Sequence, residues 1–485
     1  MVLKATSIMF ASQTATTLIL FLRNILVARL ISVEDFGIAA TFSILFAVIE
    51  TASDMSVKKL LVQDREGEDP RFQDTLHSVQ LIRGLVSTAL MLAIATPYAA
   101  FVKTPDLVWA YQMMAVIPLA RSLLHLDMFR VQREMNFRPF AINIVASPVV
   151  SLLAVGAIYL VYPDYRIMLG AIITQQLTAV ILSHLLARRR FGLAWDWDYV
   201  RRTFRFGMPL LFNGMLLMVI TQGERMIVAN QTDLTTLGWF SAAFLLASAP
   251  GRIMGQTANA LFLPKLSRAQ DTPDAFRSTS LLALEVTVTM GIWVAVGLAI
   301  AGPALMVGLF GSGYAPGAVV LVLLGLGHAV RIARTAPNTT SMAAGRTTAL
   351  LYTGILRALG ILAAYGALLA GYGVIGVAVA ALVSEAAALL YGLWLNARHH
   401  GLPLRRTVWP LLAFAAVIGL VCVDLAIAPP SDDPWEMPHR FQLVLLAAAA
   451  LSALAMPRML GGAMGEICRR RGRSPAAGAV LFRAR

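Results

Sequence analysis

Charged residues and cysteine are both scarce in this sequence, and each shortage excludes a class of protein. Asp, Glu, Lys and Arg make up 14% of the 485 residues, whereas soluble proteins average about 25%. Only two cysteines occur, Cys422 and Cys468, so neither a disulfide framework nor a thiolate metal site is supported. The seven histidines show no metal-ligand spacing, and no Walker A sequence is present. We therefore expect no metal, no cofactor and no ATP-driven export by this chain alone.

Long apolar runs take the place of charge. The sequence is 58% hydrophobic, with a mean hydropathy of +0.71, and a helix that crosses a membrane needs roughly 20 apolar residues. Fourteen runs approach this length, at about residues 5–30, 38–62, 79–102, 107–128, 139–161, 166–187, 206–229, 237–262, 279–301, 317–337, 348–370, 373–396, 407–428 and 441–457. The sequence thus predicts an all-α polytopic membrane protein of about fourteen transmembrane helices, the first of which is retained.

Lys and Arg are unevenly distributed among the predicted connections. With the N-terminus in the cytoplasm, 32 of the 40 Lys and Arg residues fall in cytoplasmic connections or tails, as the positive-inside rule requires. Both termini are then cytoplasmic, and the net charge of +14 is a topogenic signal rather than a nucleic-acid-binding surface. The predicted outer connections are short, which excludes a soluble domain there.

An internal repeat divides the chain. Residues 26–37 can be aligned with residues 227–238 at an offset of 201, with Val, Ala and the final Gly identical. This favours two lobes built from repeats, and Trp195 and Trp197 between them suit an interfacial helix. The predicted organisation is an N-terminal six-helix lobe over 1–190, a cytoplasmic interfacial linker over 191–205, a C-terminal six-helix lobe over 206–396, helices 13 and 14 over 397–457, and a basic cytoplasmic tail over 458–485.

Several stretches resemble a known family. They are Ala28-Arg-Leu-Ile-Ser-Val-Glu-Asp-Phe-Gly37 with Lys59-Leu-Leu-Val-Gln63, Glu224-Arg-Met-Ile-Val228 with Leu237-Gly-Trp-Phe-Ser-Ala-Ala243, Phe262-Leu-Pro-Lys-Leu-Ser-Arg268, and Gly373-Val-Ile-Gly-Val-Ala-Val-Ala380. Together they are similar to the polysaccharide transporter family, the Wzx-like oligosaccharide flippases. The resemblance covers helices 1 to 12 and implies the fold of MATE drug antiporters and lipid II flippases: two six-helix lobes around a central cavity, here with two extra C-terminal helices.

The same resemblance implies a function. A flippase of this kind translocates an undecaprenyl-diphosphate-linked oligosaccharide repeat unit across the bacterial inner membrane by alternating access, for exopolysaccharide, O-antigen lipopolysaccharide or capsule biosynthesis. The expected partners are the lipid-linked oligosaccharide and the membrane, with contacts to a polysaccharide polymerase and glycosyltransferases. The coupling ion, H⁺ or Na⁺, is left open.

Ionisable residues inside the predicted helices are the candidate site residues, since each costs roughly 2.5–3.5 kcal/mol at a helix centre unless it faces water or a partner. Guanidinium groups stay charged when partly dehydrated and bind paired phosphate oxygens in a fork. The substrate-binding candidates are Arg23, Arg225, Arg252, Arg357 and Lys58, and the ion-coupling candidates are Glu50, Asp54, Glu224, Glu285 and Glu385.

Each of these assignments has an alternative. The spacing of Glu50, Asp54 and Lys58 predicts one shared face of helix 2, either lining a cavity or forming an Asp54–Lys58 ion pair. Arg357, Glu285 and Glu385 belong either to the transport pathway or to buried ion pairs.

Two other functions compete with the flippase hypothesis. A MATE-like antiporter of small cations would need an acidic and aromatic cavity, which four intramembrane arginines argue against. A membrane-embedded glycan polymerase or glycosyltransferase would need a sizeable loop with titratable groups, and the longest predicted outer connection, residues 302–316, is almost free of charge. We expect that the protein is not an enzyme.

Overall fold

Helices form the regular structure of this protein. The computed structural model describes residues 2–346, 348–402 and 404–427, together with residues 447 and 452. In that part of the chain the α-helices are α1 Val2–Leu30, α2 Val33–Ser53, α3 Val57–Gln63, α4 Pro70–Phe101, α5 Val108–Met113, α6 Val116–Ser122, α7 Asp127–Arg130, α8 Arg138–Tyr159, α9 Arg166–Leu185, α10 Trp197–Gln231, α11 Leu234–Ala269, α12 Pro273–Phe310, α13 Ala318–Ala343, α14 Thr348–Leu369, α15 Gly373–His400 and α16 Leu404–Ile427. Short 3-10 helices occur at Pro105–Leu107, Val131–Glu134 and Ser312–Gly317.

Twelve of these helices are long and apolar enough to cross a membrane. A thirteenth span results if Pro105–Ser122 and Asp127–Glu134, which are bent by 54° relative to each other, are counted as one. These spans match the first thirteen predicted ones, whereas the predicted span over 441–457 lies outside the described residues. The prediction of an all-helical multi-pass membrane protein is therefore confirmed.

The chain forms two compact units. The first contains residues up to Ser241 together with Leu309–Gly313, and the second contains Ala242–Gly308 and the described residues from Tyr314 onward. This division falls within α11, and the lobe boundaries inferred from the repeat stay a prediction.

The connection before α10 is non-helical from residue 187 as far as Asp196, and Trp197 begins α10. The interfacial position of Trp195 and Trp197 stays a prediction. Asp196 caps α10 by accepting the backbone N–H of Asp198. Two histidines of the first unit, His77 on α4 and His125 between α6 and α7, bind this connection. His77 accepts the N–H of Leu126 through Nε2, so its Nδ1 carries the proton and donates to Gly192 O at 3.1 Å.

His125 fixes the same connection in the opposite tautomer. Its Nδ1 accepts the N–H of Asp127, and its Nε2 lies 3.0 Å from the carbonyl oxygen of Arg189 as the donor. Each imidazole accepts a backbone N–H from the segment between α6 and α7 through an unprotonated nitrogen. Both rings are therefore neutral in this arrangement.

Two glycines allow a close helix crossing in the first unit. A Cβ on Gly37 would lie 1.9 Å from Leu234 O, and a Cβ on Gly238 would lie 2.1 Å from Val33 O. Each glycine is the fifth residue of its helix, α2 or α11, and contacts the first residue of the other. Since these pairs are related by the 201-residue offset, the crossing has the reciprocity expected of two repeat copies.

We predict that Gly37→Ala lowers the thermal stability of the purified protein in detergent. The added methyl group would overlap a carbonyl oxygen that cannot move without shifting α11, and overpacking of this kind costs about 1–3 kcal/mol. The control is Gly156→Ala in α8, where a Cβ meets no atom within 4 Å and alanine favours the helix. A melting temperature of Gly37→Ala at or above that of Gly156→Ala would contradict the close crossing.

Candidate functional site

Three helices of the first unit face one another with polar side chains. Thr16 of α1 donates to Ile144 O of α8 at 2.8 Å, and Asn143 of α8 donates to Ala179 O of α9 at 2.7 Å. Such hydrogen bonds satisfy polar groups in segments where lipid offers no partner. The sequence pattern that produces this seam is a scatter of Thr, Asn, Ser and Gln at helical spacing in otherwise apolar helices.

The seam opens into a cavity of about 210 Å³ in the first unit, here called the polar cavity. It is lined by Thr16, Lys58, Arg121, Leu124, Met128, Phe129, Phe140, Asn143, Ile144, Ser147, Pro148, Gln175, Gln176 and Ala179. Arg121 donates to Gln176 Oε1 at 2.7 Å and to Glu50 Oε1 at 2.6 Å. Lys58 Nζ lies 5.7 Å from the centroid of the Phe129 ring, a cation–π geometry. Half of the lining residues are thus polar or charged, and the two charged ones, Lys58 and Arg121, are cations.

The predicted shared face of Glu50, Asp54 and Lys58 is wrong. Helix α2 ends at Ser53, Asp54 adopts an extended conformation as its C-cap, and Ser56 is left-handed with φ of 52° before α3 begins. The i, i+4, i+8 relation therefore does not apply across the break. Asp54 accepts the Ser56 N–H at 2.9 Å and lies 3.6 Å from Arg83 Nη1, so Arg83 takes the place of Lys58 in the anticipated ion pair.

Arg23 is a buried arginine beside the polar cavity. It is 7% exposed on α1 and donates from Nη1 to Ser151 Oγ at 3.0 Å and to Gln175 Oε1 at 2.7 Å. In the described ranges no carboxylate oxygen lies within 4.0 Å of it. Gln175 also lines the polar cavity, so Arg23 is hydrogen-bonded to a residue of the cavity wall.

The other first-unit candidates lie together on α10. Arg225 and Glu224 are half-buried, and Arg225 Nη1 lies 3.4 Å from Gln222 Oε1, one helical turn earlier. Neither lines the polar cavity, and their roles stay predictions.

A cluster of arginines surrounds one carboxylate in the second unit. Glu385 of α15 accepts from Arg331 Nε at 2.7 Å, Arg334 Nε at 3.0 Å and Arg357 Nε at 2.8 Å. Glu385 is 3% exposed. The structure thus brings the candidates Arg357 and Glu385 into direct contact and joins α13, α14 and α15. We call these four residues the arginine cluster.

Sequence reasoning missed Arg331 and Arg334, which it counted as charges of a cytoplasmic connection. Helix α13 extends to Ala343, beyond the predicted end at residue 337, and both arginines lie near its middle. The signal that could have found them is their i, i+3 spacing in an apolar run, which places both on one face.

Arg252 and Glu285 also belong to the second unit. Arg252 lies eighteen residues after the start of α11, about 27 Å along the helix axis, and is exposed. Glu285 lies on α12 and is 3% exposed. In the described part of the chain, no group of three or more His, Cys, Asp or Glu side chains has the geometry of a metal site.

The fold and these sites define a class: a multi-pass membrane protein with charged side chains inside its helices, as in membrane transporters. The chain belongs to the family described as polysaccharide biosynthesis protein, whose model matches residues 26–319. A sequence search finds no match among curated proteins.

Solved structures share this fold over most of their length. Lipid II flippase MurJ in its inward closed conformation is 15% identical with a TM-score of 0.69, covering 94% of this chain and 100% of its own. An inward-facing multidrug resistance MATE transporter of the MOP superfamily is 13% identical with a TM-score of 0.65, covering 78% and 94%. The eukaryotic MATE transporter AtDTX14 is 13% identical with a TM-score of 0.56, covering 93% and 99%. The chain therefore has a flippase- and transporter-type fold.

We predict that the polar cavity admits water and favours anions. In a Cys422→Ser, Cys468→Ser background, Thr16→Cys places a near-isosteric thiol in the lining. Lys58 and Arg121 raise the local concentration of anions, so an anionic methanethiosulfonate reagent labels this thiol several-fold faster than a cationic one, and Lys58→Met removes the preference.

The matched control is Thr17→Cys, the adjacent residue on α1, which is not part of the cavity lining. Its labelling rates are expected to be independent of Lys58→Met. A faster reaction of Thr16→Cys with the cationic reagent would show that the cavity does not attract anions.

Proposed function

We propose that this protein is a flippase that moves an undecaprenyl-diphosphate-linked oligosaccharide repeat unit across the bacterial inner membrane by alternating access. Both termini are cytoplasmic in this proposal, and the repeat unit serves exopolysaccharide, lipopolysaccharide or capsule synthesis. Family membership and the flippase-type fold support the general class. The particular substrate is what the family resemblance implies, and the charged sites support its diphosphate group.

The observation that carries the proposal is the environment of Arg23. This arginine is buried against a neutral hydroxyl and a neutral amide rather than a carboxylate, so its charge is solvated but not neutralised. Keeping an un-neutralised cation inside the membrane is costly, and a structural arginine would be stabilised better by a carboxylate. A diphosphate can displace neutral acceptors without separating an ion pair.

Lys58 and Arg121 extend the same argument to the polar cavity. Lys58 has an aromatic face as its neighbour and Arg121 has one carboxylate, Glu50, so the two cations exceed the paired anion by one. A space of about 210 Å³ holds several water molecules. It suits a phosphate head group and is too small for an oligosaccharide, which must occupy other space.

The ion-coupling candidates now differ in their surroundings. Glu50 and Asp54 have one arginine neighbour each, Arg121 and Arg83, whereas Glu385 accepts from three guanidinium groups. Since guanidinium groups only donate, Glu385 is fixed as an ionised acceptor and is the least suited to carry a proton. We assign coupling by H⁺ or Na⁺ to the set Glu50, Asp54, Glu224 and Glu285.

The competing function is a cation antiporter, which the structural likeness to MATE transporters favours. A cationic substrate would meet Lys58, Arg121 and Arg23 with repulsion, so the positive lining favours the anionic substrate. The nearly uncharged predicted outer connection over residues 302–316 argues against a glycosyltransferase or polymerase, and we propose a transporter rather than an enzyme.

We predict that Arg23→Ala slows the translocation of a fluorescent undecaprenyl-diphosphate-linked sugar in proteoliposomes by about 10-fold or more, the loss expected for a charge-assisted hydrogen bond of 1.5–3 kcal/mol. Arg23→Lys keeps the charge and retains part of the rate. Arg252→Ala also slows translocation, because its charge lies deep in α11.

Arg71→Ala is the matched control, since the Arg71 side chain is 65% exposed and pairs with Asp196. It is expected to translocate within about twofold of the unmodified protein, because exposed ion pairs contribute little. Equal insertion levels and melting temperatures are verified for every variant. Unchanged translocation by Arg23→Ala would refute the proposed site, and transport of a cationic drug in its place would favour the antiporter.

A further inference from the structure

Each arginine of the arginine cluster contacts Glu385 through a single nitrogen. The hydrogen bonds run from the Nε atoms of Arg331, Arg334 and Arg357, and not from the two-nitrogen forks that bind oxygen pairs. A guanidinium group carries five N–H donors. Arg334 and Arg357 make one protein hydrogen bond each in the described part of the chain. Their remaining N–H groups are therefore available to a ligand.

Positive charge exceeds negative charge around this cluster. A Cβ on Gly251 would lie 3.2 Å from His328 Nδ1, which places the next residue, Arg252, near the turn of α13 that carries Arg331. His328 interacts electrostatically with Arg252, Arg331, Arg357 and Glu385. The side chains of Arg334 and Arg357 are only 8% and 10% exposed and share the single charge of Glu385, so one largely buried positive charge exceeds it even before Arg331 is counted.

A buried cation in excess of the neighbouring carboxylate calls for an anion. Charged groups in the interior of a membrane protein are expensive unless they are paired or face water, and the cost is removed when a ligand supplies the missing charge. A diphosphate linked at both ends has two free oxygens and one negative charge on each phosphate, so it supplies four acceptor oxygens and two charges in all. A carboxylate offers two oxygens and one charge, so it occupies the cluster without saturating it.

We infer that the arginine cluster is a second binding site for a diphosphate group, and that Glu385 occupies this site in its absence. This inference rests on the proposed function for its biological ligand, although the site itself follows from the charge balance. The diphosphate forms bidentate contacts with Arg334 and Arg357 and displaces the Glu385 carboxylate. Since Glu385 joins α15 to both α13 and α14, its release removes three of the contacts that hold these helices together, while Asn396 still bonds α15 to α13.

The test is a titration of the full-length protein in detergent with inorganic pyrophosphate at low salt, followed by isothermal calorimetry. Glu385→Gln removes the competing charge and nearly preserves the shape, so we expect it to bind pyrophosphate about 10-fold more tightly than the unmodified protein. Adding Arg334→Gln to this variant abolishes the gain. An affinity of Glu385→Gln equal to that of the unmodified protein would overturn the inference.

Glu68→Gln controls for the general effect of removing one negative charge. Glu68 is also contacted by three arginines, Arg130, Arg133 and Arg189, but its side chain is 48% exposed. Its neutralisation is expected to leave pyrophosphate affinity unchanged, because water already screens the exposed Glu68 carboxylate and Arg130 keeps Asp127 and Glu134 as partners. An equal gain in Glu68→Gln would show that net charge, and not the buried cluster, determines binding.

A second variant covers the case in which Glu385→Gln does not fold. Arg357→Lys keeps the charge balance and removes the fork, so it lowers the pyrophosphate affinity of the otherwise unmodified protein by about 10-fold. Arg268→Lys near the end of α11 is its control and leaves the affinity unchanged. Equal affinities of Arg357→Lys and the unmodified protein would contradict the site.

The source of the diphosphate is distinguished by repeating the titration with undecaprenyl diphosphate. We expect Glu385→Gln to bind both ligands more tightly, which places the lipid head group at the site. A gain for inorganic pyrophosphate alone would support the anion site and assign it to a water-soluble diphosphate. Because these are equilibrium measurements, they remain valid if Arg23→Ala translocates normally, and the two proposals fail separately.

Discussion

The cost of keeping positive charge inside a membrane governs this structure. A cation at the centre of a transmembrane helix is unfavourable by roughly 2.5–3.5 kcal/mol on insertion scales, yet the described helices retain several. Each unit offsets the cost differently. The first unit surrounds Arg23 with the neutral groups of Ser151 and Gln175, whereas the second places three arginines on Glu385.

Neutral acceptors around Arg23 and a shared carboxylate among three arginines have different consequences for an anionic ligand. Neutral acceptors solvate a guanidinium group without cancelling its field, so we propose that the polar cavity and Arg23 attract phosphate directly. A shared carboxylate cancels part of the field and must be displaced, so a ligand at the inferred site in the arginine cluster would change the packing of three helices. A ligand that binds one arrangement of those helices better than another shifts the population between them, which is what alternating access requires.

The number and type of spans could be predicted from the sequence because the length of an apolar run is a local property. Contacts between distant helices could not. Arg23 reaches residues 128 and 152 positions away, which no periodicity reveals. The left-handed turn at Ser56 interrupts the face on which Glu50, Asp54 and Lys58 were placed. Arg331 and Arg334 were assigned to a connection because the positive-inside rule counts charge and cannot detect a buried partner 51 or more residues away.

The most direct test of the central claim is a structure of the protein in lipid nanodiscs with an undecaprenyl-diphosphate-linked oligosaccharide, determined by electron cryomicroscopy. The account predicts density for a phosphate group with oxygens about 3 Å from guanidinium nitrogens of Arg23, next to the polar cavity. A bound head group that lies away from both Arg23 and the arginine cluster, with Arg23 still bonded to Ser151 and Gln175, would contradict it.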